Sequence, residues 1–417
     1  MTVVNMIEIK PKLNISVNCK ACKSEAVDIQ ALFFQGMHTL ADCICGKCGF
    51  DLYWTLPIGH DLLFPVHLSK DNKKAYFHPR AKDWLAAPLS RSMKMGEGQR
   101  VEISKNVHRQ VRDIVIVNCL DTCFGHVLTK IWNTYTLTEN HPELGVVAII
   151  PQNMEWLLPP TLAETWIIHQ PLKMLDNKLE GLDEFVHKQL ERFEQVYLSH
   201  TFTHLDHTRY IDMEKMLKRS RFDLATFERQ PPCITFVLRE DRCWHRWKSF
   251  DFLMKLSVKA GVWEKTKALF VSRQNQLIKK TAEAIKQAIP EVRLYATGLG
   301  KTGSLWDGIE DLRTEKIQSE TEALWNATYA QSHLVIGIHG SGMMIPTALA
   351  AGFINILPRH KLEHLGEDTL LPYSNRFLNF LGRYLDEYST PQLVALHAVS
   401  MIRDFPYLYH NTVQVPE

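Results

Sequence analysis

The chain has 417 residues, 45% hydrophobic and 23% charged, and its 48 basic against 46 acidic side chains leave a formal net charge of +2. That is ordinary globular composition, with material for two to four domains at ~100–200 residues each, and it argues against disorder. So small a net charge gives no basis for nucleic acid or an acidic membrane surface as a partner. No run approaches the ~18 consecutive apolar residues of a membrane-spanning helix. The opening stretch, MTVVNMIEIKPKLNIS, lacks the basic start, apolar run and cleavage site of a secretory leader, so the expected location is cytoplasmic, with no membrane span.

Three blocks are expected. Residues 1–105 hold a cysteine cluster and short apolar runs broken by Pro and Gly, and RSMKMGEGQR (91–100) reads as a loop or linker. Of nine cysteines, five fall between Cys19 and Cys48, and the others are Cys119, Cys123, Cys233 and Cys243. An odd, clustered count speaks against a disulfide framework and for metal in a reducing compartment. Cys19-Lys-Ala-Cys22 and Cys45-Gly-Lys-Cys48 form a C-x2-C … C-x2-C pattern. A two-residue gap lets two thiolates of one tight turn reach the same tetrahedral zinc, and Gly46 and Gly49 suit such knuckles. Residues 15–55 therefore read as a small β-rich, zinc-ribbon-like module with a closed, structural site, itself a candidate to bind a protein partner. Cys43 is the departure from a clean pattern: it is an alternative ligand to Cys45, or it is buried. The competing reading of the whole set is reduced thiols.

From 106 to 230, strand-length apolar runs alternate with helical patterns. DIVIVNCL (113–120), ELGVVAIIP (143–151) and ETWIIHQP (164–171) read as strands, with a helix from FGHVLTKIWNTY between the first two. LDEFVHKQLERFEQVYLS (182–199) reads as a helix or a helix–strand pair, and Gln230-Pro231-Pro232 as a boundary. From 231 to 417 the alternation repeats. CITFVLRE (233–240), KALFVSRQ (267–274), EVRLYATG (291–298), HLVIGIHG (333–340) and FINILP (353–358) are expected strands. SFDFLMKLSVKAG, LIKKTAEAIKQAIP, SETEALWNATYAQ and MIPTALAAG are expected helices, the third opened by a capping-box pattern of Ser319 and Glu322. The fold class is α/β: two Rossmann-like lobes, each a parallel sheet covered on both faces, with ligands at the carboxyl ends of the strands.

The segment IGIHGSGMMIPTALA (336–350) carries the strongest functional signal. A strand runs into His339-Gly340-Ser341-Gly342 and a helix follows, which lets backbone N–H groups approach a phosphate. His339 is placed to donate to a phosphate or ribose oxygen, and a ligand-free tight turn is the alternative. Here the chain resembles GT-B-fold glycosyltransferases whose donor lobe has a His-Gly-(Ala/Ser)-Gly turn, the xylosyl- and N-acetylglucosaminyltransferase-like group. More distantly, CITFVLREDRCW resembles the start of the donor lobe in α-1,6- and O-fucosyltransferases. The likeness spans residues 113–400 as element order, touches motifs only near 235–245, 270–275 and 334–358, and does not cover the cysteine module.

The resemblance implies an inverting, metal-independent transfer from a nucleotide-diphosphate sugar to a hydroxyl of a glycan, lipid or protein. Its arginines carry over to Arg239, Arg242 and Arg273, where guanidinium groups would hold the diphosphate. A surface ion pair with Glu240 or Asp241 is the alternative for each. Glu320 or Glu322 is placed to hold the ribose or sugar hydroxyls, or only to cap the helix. In the first lobe, Asp121 and His126 are candidate bases for the acceptor hydroxyl. No Asp-x-Asp triplet occurs, so no donor-bound metal is implied.

Two further signals are weak. LYATGLGKTGS fails as a phosphate loop because Tyr295 stands where glycine is needed. His200, His204 and His207 have helical spacing in a Thr-rich, poorly helical context, which speaks against a metal set. The rival functions are a polysaccharide pyruvyl transferase-like enzyme on the same fold and a non-catalytic, zinc-containing scaffold.

Overall fold

The computed structural model describes residues 6–94, 100–204 and 211–412. The chain divides into two compact units, Met1–Leu205 and Asp206–Glu417, where three blocks were expected.

In the first unit the strands are β1 (Met6–Lys10), β2 (Val27–Phe34), β3 (Thr39–Cys45), β4 (Asp51–Thr55), β5 (His67–Ser69), β6 (Ala75–Tyr76), β7 (Ile103–Val107), β8 (Asp113–Asn118), β9 (Gly145–Pro151), β10 (Glu164–Ile168) and β11 (Gln195–Ser199). Its helices are α1 (Ala87–Lys94), α2 (Phe124–Asn140) and α3 (Leu182–Leu190). Strands β2 to β6 form an antiparallel sheet in chain order. The other sheet runs β1-β11-β8-β9-β10-β7, parallel at its centre, with β1 and β7 antiparallel at the edges. Residues of β9 and β10 are buried throughout, as continuous apolar runs in a sheet covered on both faces must be. The antiparallel sheet shares one core with the parallel one: Phe34, Leu40, Trp54 and Leu56 pack in the same cluster as Ile114, Ile116, Trp166 and Leu198. Residues 91–94, expected in a linker, complete α1, and 95–99 lie outside the described residues.

In the second unit the strands are β12 (Cys233–Arg239), β13 (Arg293–Leu299), β14 (Glu310–Asp311), β15 (Leu334–Ile338), β16 (Gly352–Leu357) and β17 (Gly382–Asp386). The helices are α4 (Met213–Leu217), α5 (Lys248–Lys259), α6 (Trp263–Ala288), α7 (Ser319–Ala330), α8 (Met344–Leu349), α9 (Asn375–Leu381) and α10 (Pro391–Thr412). The sheet is wholly parallel in the order β14-β13-β12-β15-β16-β17. In chain order within the sheet that is 3-2-1-4-5-6, the doubly wound order of nucleotide-binding sheets.

One expected strand is absent. KALFVSRQ is helical, part of the single long α6. Its one β-branched residue, Val271, sits in a 3.6-residue pattern: Phe270, Val271, Gln274, Asn275, Leu277, Ile278, Thr281, Ala282 and Ile285 are the buried positions, and that stripe continues without a break.

The glycines of LYATGLGKTGS serve packing. Gly298 has φ of +133°, and a methyl group there would lie 2.0 Å from the Leu238 carbonyl oxygen. At Gly300, with φ of +106°, it would lie 2.2 Å from Glu240 Cδ. Glu240 accepts from the Thr302 amide at 2.7 Å and Thr302 hydroxyl at 3.0 Å and pairs with Lys267 at 2.6 Å. The loop is thus tied to the end of β12. Gly298→Ala is expected to cost at least about 3 kcal/mol, because strain and backbone overlap act together. Gly261→Ala, where φ is +68° but no atom lies within 4 Å, should cost about 1 kcal/mol. Thermal unfolding of the two variants checks the contrast.

Candidate functional site

In a doubly wound sheet the crevice opens where consecutive connections leave a strand on opposite sides. In the second unit that strand is β12, flanked by β13 and β15. Arg239 ends β12, Arg242 follows it, and the His339-Gly340-Ser341-Gly342 turn follows β15. The three meet. Gly340 has φ of +150°, and a methyl group there would stand 2.5 Å from Arg239 Nη1 and 3.0 Å from Arg242 Nη1. Only glycine lets the chain run this close to two guanidinium groups. Arg242 Nη1 donates to the His339 carbonyl at 2.6 Å. The Nε and Nη2 edge of Arg239 pairs with the exposed Asp241 at 3.0 and 2.6 Å. Two cations and a glycine turn running into α8 make a cradle suited to a phosphate or diphosphate.

The expected members are placed differently from one another. His339 is fully buried. Its Nε2 lies 3.1 Å from the His364 carbonyl and 3.2 Å from Asp368. Burial lowers its pKa and outweighs the nearby Asp368. Its ring therefore holds the segment around 364–368, and its carbonyl, not its ring, meets Arg242. Arg273 does not join the cradle. It sits half-buried on α6, bonded to Gln276 at 3.1 Å, with its guanidinium 5.9 Å from the Phe250 ring. Its buried neighbour Gln274 does reach the arginine loop, donating to the Arg239 carbonyl at 3.0 Å and accepting from the Trp244 amide at 2.8 Å. Ser341 and Gly342 form the turn itself. Glu320 is exposed in the first turn of α7, whereas the Glu322 carboxyl is pushed up to about 7 by burial. Beside the cradle, at the ends of β12, β15, β16 and β17, lies a groove of about 810 Å³ lined by Arg242, Trp244, Phe252, Ile338, His360 and Tyr388 among others.

The first unit has its own crevice, after β8, whose neighbours are β9 and β11. Asp121 and His126 lie on the turn and first helical residues that follow β8, and His126 Nδ1 is 3.0 Å from Asp121 Oδ1. Lys130, one turn along α2, lies 2.9 Å from Asp121 Oδ2 and donates to the Leu120 carbonyl at 2.8 Å. Burial raises the cost of charge on Asp121, but Lys130, then His126, outweigh it, and the carboxyl is held well below the usual range. The sequence reading missed His60. It comes from a turn before β5, is 5% exposed, and places Nε2 3.1 Å from His126 Nδ1. No spacing pattern marks it. His204, from the segment after β11, packs its ring against both, and ligand atoms of the three imidazoles all lie within 4.8 Å of one another. Of the other histidines once grouped with it, His200 bonds the Pro57 carbonyl at 2.7 Å, and His207 lies outside the described residues.

Cys19, Cys22, Cys45 and Cys48 converge within 4.8 Å of one another. Sγ atoms of Cys19 and Cys48 are 3.7 Å apart, and those of Cys22 and Cys45 3.6 Å. Tetrahedral thiolates at ~2.3 Å from zinc stand ~3.8 Å apart, so the donor set fits. Cys43 is outside the cluster. It is buried on β3, facing the Ala41 carbonyl at 3.5 Å, and burial pushes its thiol up to about 12. The alternation of a strand explains this: Cys43 and Cys45 share a face, but only Cys45 is at the knuckle.

No known family's sequence pattern matches the chain, and no characterised protein matches it by sequence. Among solved structures, the ADP-heptose LPS heptosyltransferase II of E. coli superposes with a TM-score of 0.38 at 11% identity, over 72% of this chain and 99% of that one. A crystal structure of TarM superposes with a TM-score of 0.22 at 10% identity, over 99% of this chain and 76% of that one. At such distances the chain's own geometry has to carry the functional reading.

The Asp121–Lys130 pair supplies a direct check on the first crevice. Lys130→Met leaves a buried carboxylate without its counter-charge and is expected to cost about 3–5 kcal/mol. The double variant with Asp121→Asn should recover part of that loss, measured by denaturant unfolding.

Proposed function

We propose that this protein is a glycosyltransferase that uses a nucleotide-diphosphate sugar. The observation that carries the reading is the meeting of Arg239, Arg242 and the Gly340 turn at the switch point of a 3-2-1-4-5-6 sheet. In this reading the two guanidinium groups and the turn bind the diphosphate and stabilise its charge as the glycosidic bond breaks. The neighbouring groove takes the nucleoside against Trp244 and Tyr388. His126, oriented by Asp121, is the candidate base for the acceptor hydroxyl. Inversion follows from a single displacement. The donor needs no metal, because arginine supplies the positive charge. The acceptor is a hydroxyl of a glycan, lipid or protein.

The groove also separates this reading from the pyruvyl-transferase alternative. Phosphoenolpyruvate would use the cradle and leave an apolar space of about 810 Å³ unfilled. A catalytically silent scaffold would need no cradle.

The four-cysteine cluster is read as a structural zinc site. The small antiparallel sheet gains folding free energy from the ion, and with four thiolates no position is left for substrate.

Thermal stability of the purified protein against UDP, GDP, CDP, CMP and dTDP, with and without their sugars, tests the donor reading. A nucleotide at ~100 times its Kd adds about 2.7 kcal/mol, a shift of several degrees. Arg242→Ala should abolish that shift while leaving the ligand-free melting temperature within a few degrees. A shift with phosphoenolpyruvate alone would favour pyruvyl transfer, and none with any ligand the scaffold. For the zinc, Cys22→Ser is expected to remove one equivalent of metal from each chain and to lower the melting temperature of the first unit. Metal analysis and calorimetry check it.

A further inference from the structure

The transfer chemistry uses one imidazole of the first unit, yet three come together there. His60 Nε2 and His126 Nδ1 are 3.1 Å apart, Asp121 Oδ1 is 3.0 Å from the same His126 nitrogen, and Asp121 Oδ2 is 3.6 Å from His60 Nε2. His204 brings its nearest ring nitrogen within 4.8 Å of both histidines. Neighbouring ligand atoms on a transition-metal ion with ~2.1 Å bonds stand ~3.0–3.4 Å apart, the spacing of His60 Nε2 and His126 Nδ1 at 3.1 Å, with His204 within 4.8 Å of both. Without a cation the cluster is poorly satisfied. His126 Nδ1 faces both the Asp121 carboxylate and His60 Nε2, so one proton on it cannot serve both contacts. His60 Nδ1 is buried with no hydrogen-bond partner. A cation would take both nitrogen lone pairs at once.

The backbone holds the three segments together independently of the rings. The Gly59 amide donates to the His200 carbonyl at 2.7 Å, and His200 Nδ1 to the Pro57 carbonyl at 2.7 Å. The Asn133 side chain, on α2, exchanges two 3.0 Å bonds with the backbone of Phe202. Gly59 has φ of +59°, and a methyl group there would lie 3.0 Å from Lys130 Cε and 3.2 Å from Thr203 Oγ1, so glycine is what lets the segments close up. Trp84 packs edge-on against His60 at 5.0 Å and shields one side. The cluster lies at the carboxyl ends of β8 and β11, the crevice of this sheet, where α/β sheets place ligands.

We propose that His60, His126 and His204 bind a divalent transition-metal cation. Three imidazoles suit zinc, copper, iron or nickel and not magnesium or calcium. Asp121 Oδ1 is the nearest oxygen, while Lys130 holds the other carboxylate oxygen and fixes its orientation. His126 is partly exposed and His204 exposed, so a coordination position on that side can take a hydroxyl or water. An oxygen bound there ionises near neutral pH. In the transfer reading such a cation would lower the pKa of a bound acceptor hydroxyl, whose proton would pass to solvent, and His126 would then serve as a ligand in place of a free base. Metal binding itself does not rest on the transferase reading.

The test is metal content of the full chain after equilibration with zinc and removal of free ion. Wild type should carry two equivalents, one on the cysteines and one on the histidines. His204→Ala, an exposed change that leaves the fold intact by its melting curve, should carry one, and so should His60→Ala if it folds. His410→Ala, which changes an exposed histidine on α10, should keep both. The proposal is overturned if wild type and His204→Ala carry the same number, or if His410→Ala loses metal equally. Nucleotide-induced stabilisation in the same samples reads the second unit alone. Its absence with the second equivalent present would sink the transferase reading and leave the metal site standing.

Discussion

A parallel strand whose two neighbours are reached in opposite directions leaves a gap at its carboxyl end, and both six-stranded sheets of this protein have such a gap. In the second unit it follows β12, and in the first it follows β8. The connections cannot cover it, because one leads away over each face of the sheet. Apart from the cysteine cluster, the candidate site groups sit on segments leaving β8, β11, β12 or β15, or on ones packed against them. The long apolar runs of β9, β10 and β16 matter to function only because they keep those ends in place.

The two gaps are electrostatically unlike. After β12 the charge is cationic and partly open to solvent: two guanidinium groups beside a glycine turn, with Asp241 on the outer edge of one of them. That arrangement is suited to an anion that arrives and leaves. After β8 the charge is buried and balanced. Asp121 and Lys130 are each 2% exposed at the side chain, and together they place a fixed carboxylate beneath the imidazoles. A buried pair of this kind contributes little net stability, but losing either partner is costly, so it locks the orientation of the site. The cysteine cluster is a third arrangement, four thiols within 4.8 Å of one another.

Much of the architecture was readable because period and length are local properties. Continuous apolar runs at 113–120, 143–151, 164–171 and 233–240 became parallel strands, and C-x2-C spacing sufficed to bring Cys19 and Cys22 toward Cys45 and Cys48. The error at 267–274 has a local cause as well: eight residues centred on Phe270 and Val271 look like a strand until the stripe is followed through Ile285. That error misplaced Arg273 and hid Gln274, which does the positioning. Edge strands β1, β7, β14 and β17 were not legible, since short or polar edge strands carry little pattern of their own.

By itself the sequence determined the α/β class, the cysteine quartet, and the candidacy of Arg239, Arg242 and the His339–Gly342 turn, because each is written in spacing over a few residues. Only the tertiary structure decided that Gly340 lies against both guanidinium groups, that the His339 ring is buried, and that Cys43 is excluded from the quartet. It alone brought His60 to His126 across 66 positions and added His204 from a third segment. The physical reason is that hydrophobic patterning specifies which face of an element is buried, whereas the meeting of loops depends on strand order, and strand order is set by packing among elements far apart in the chain.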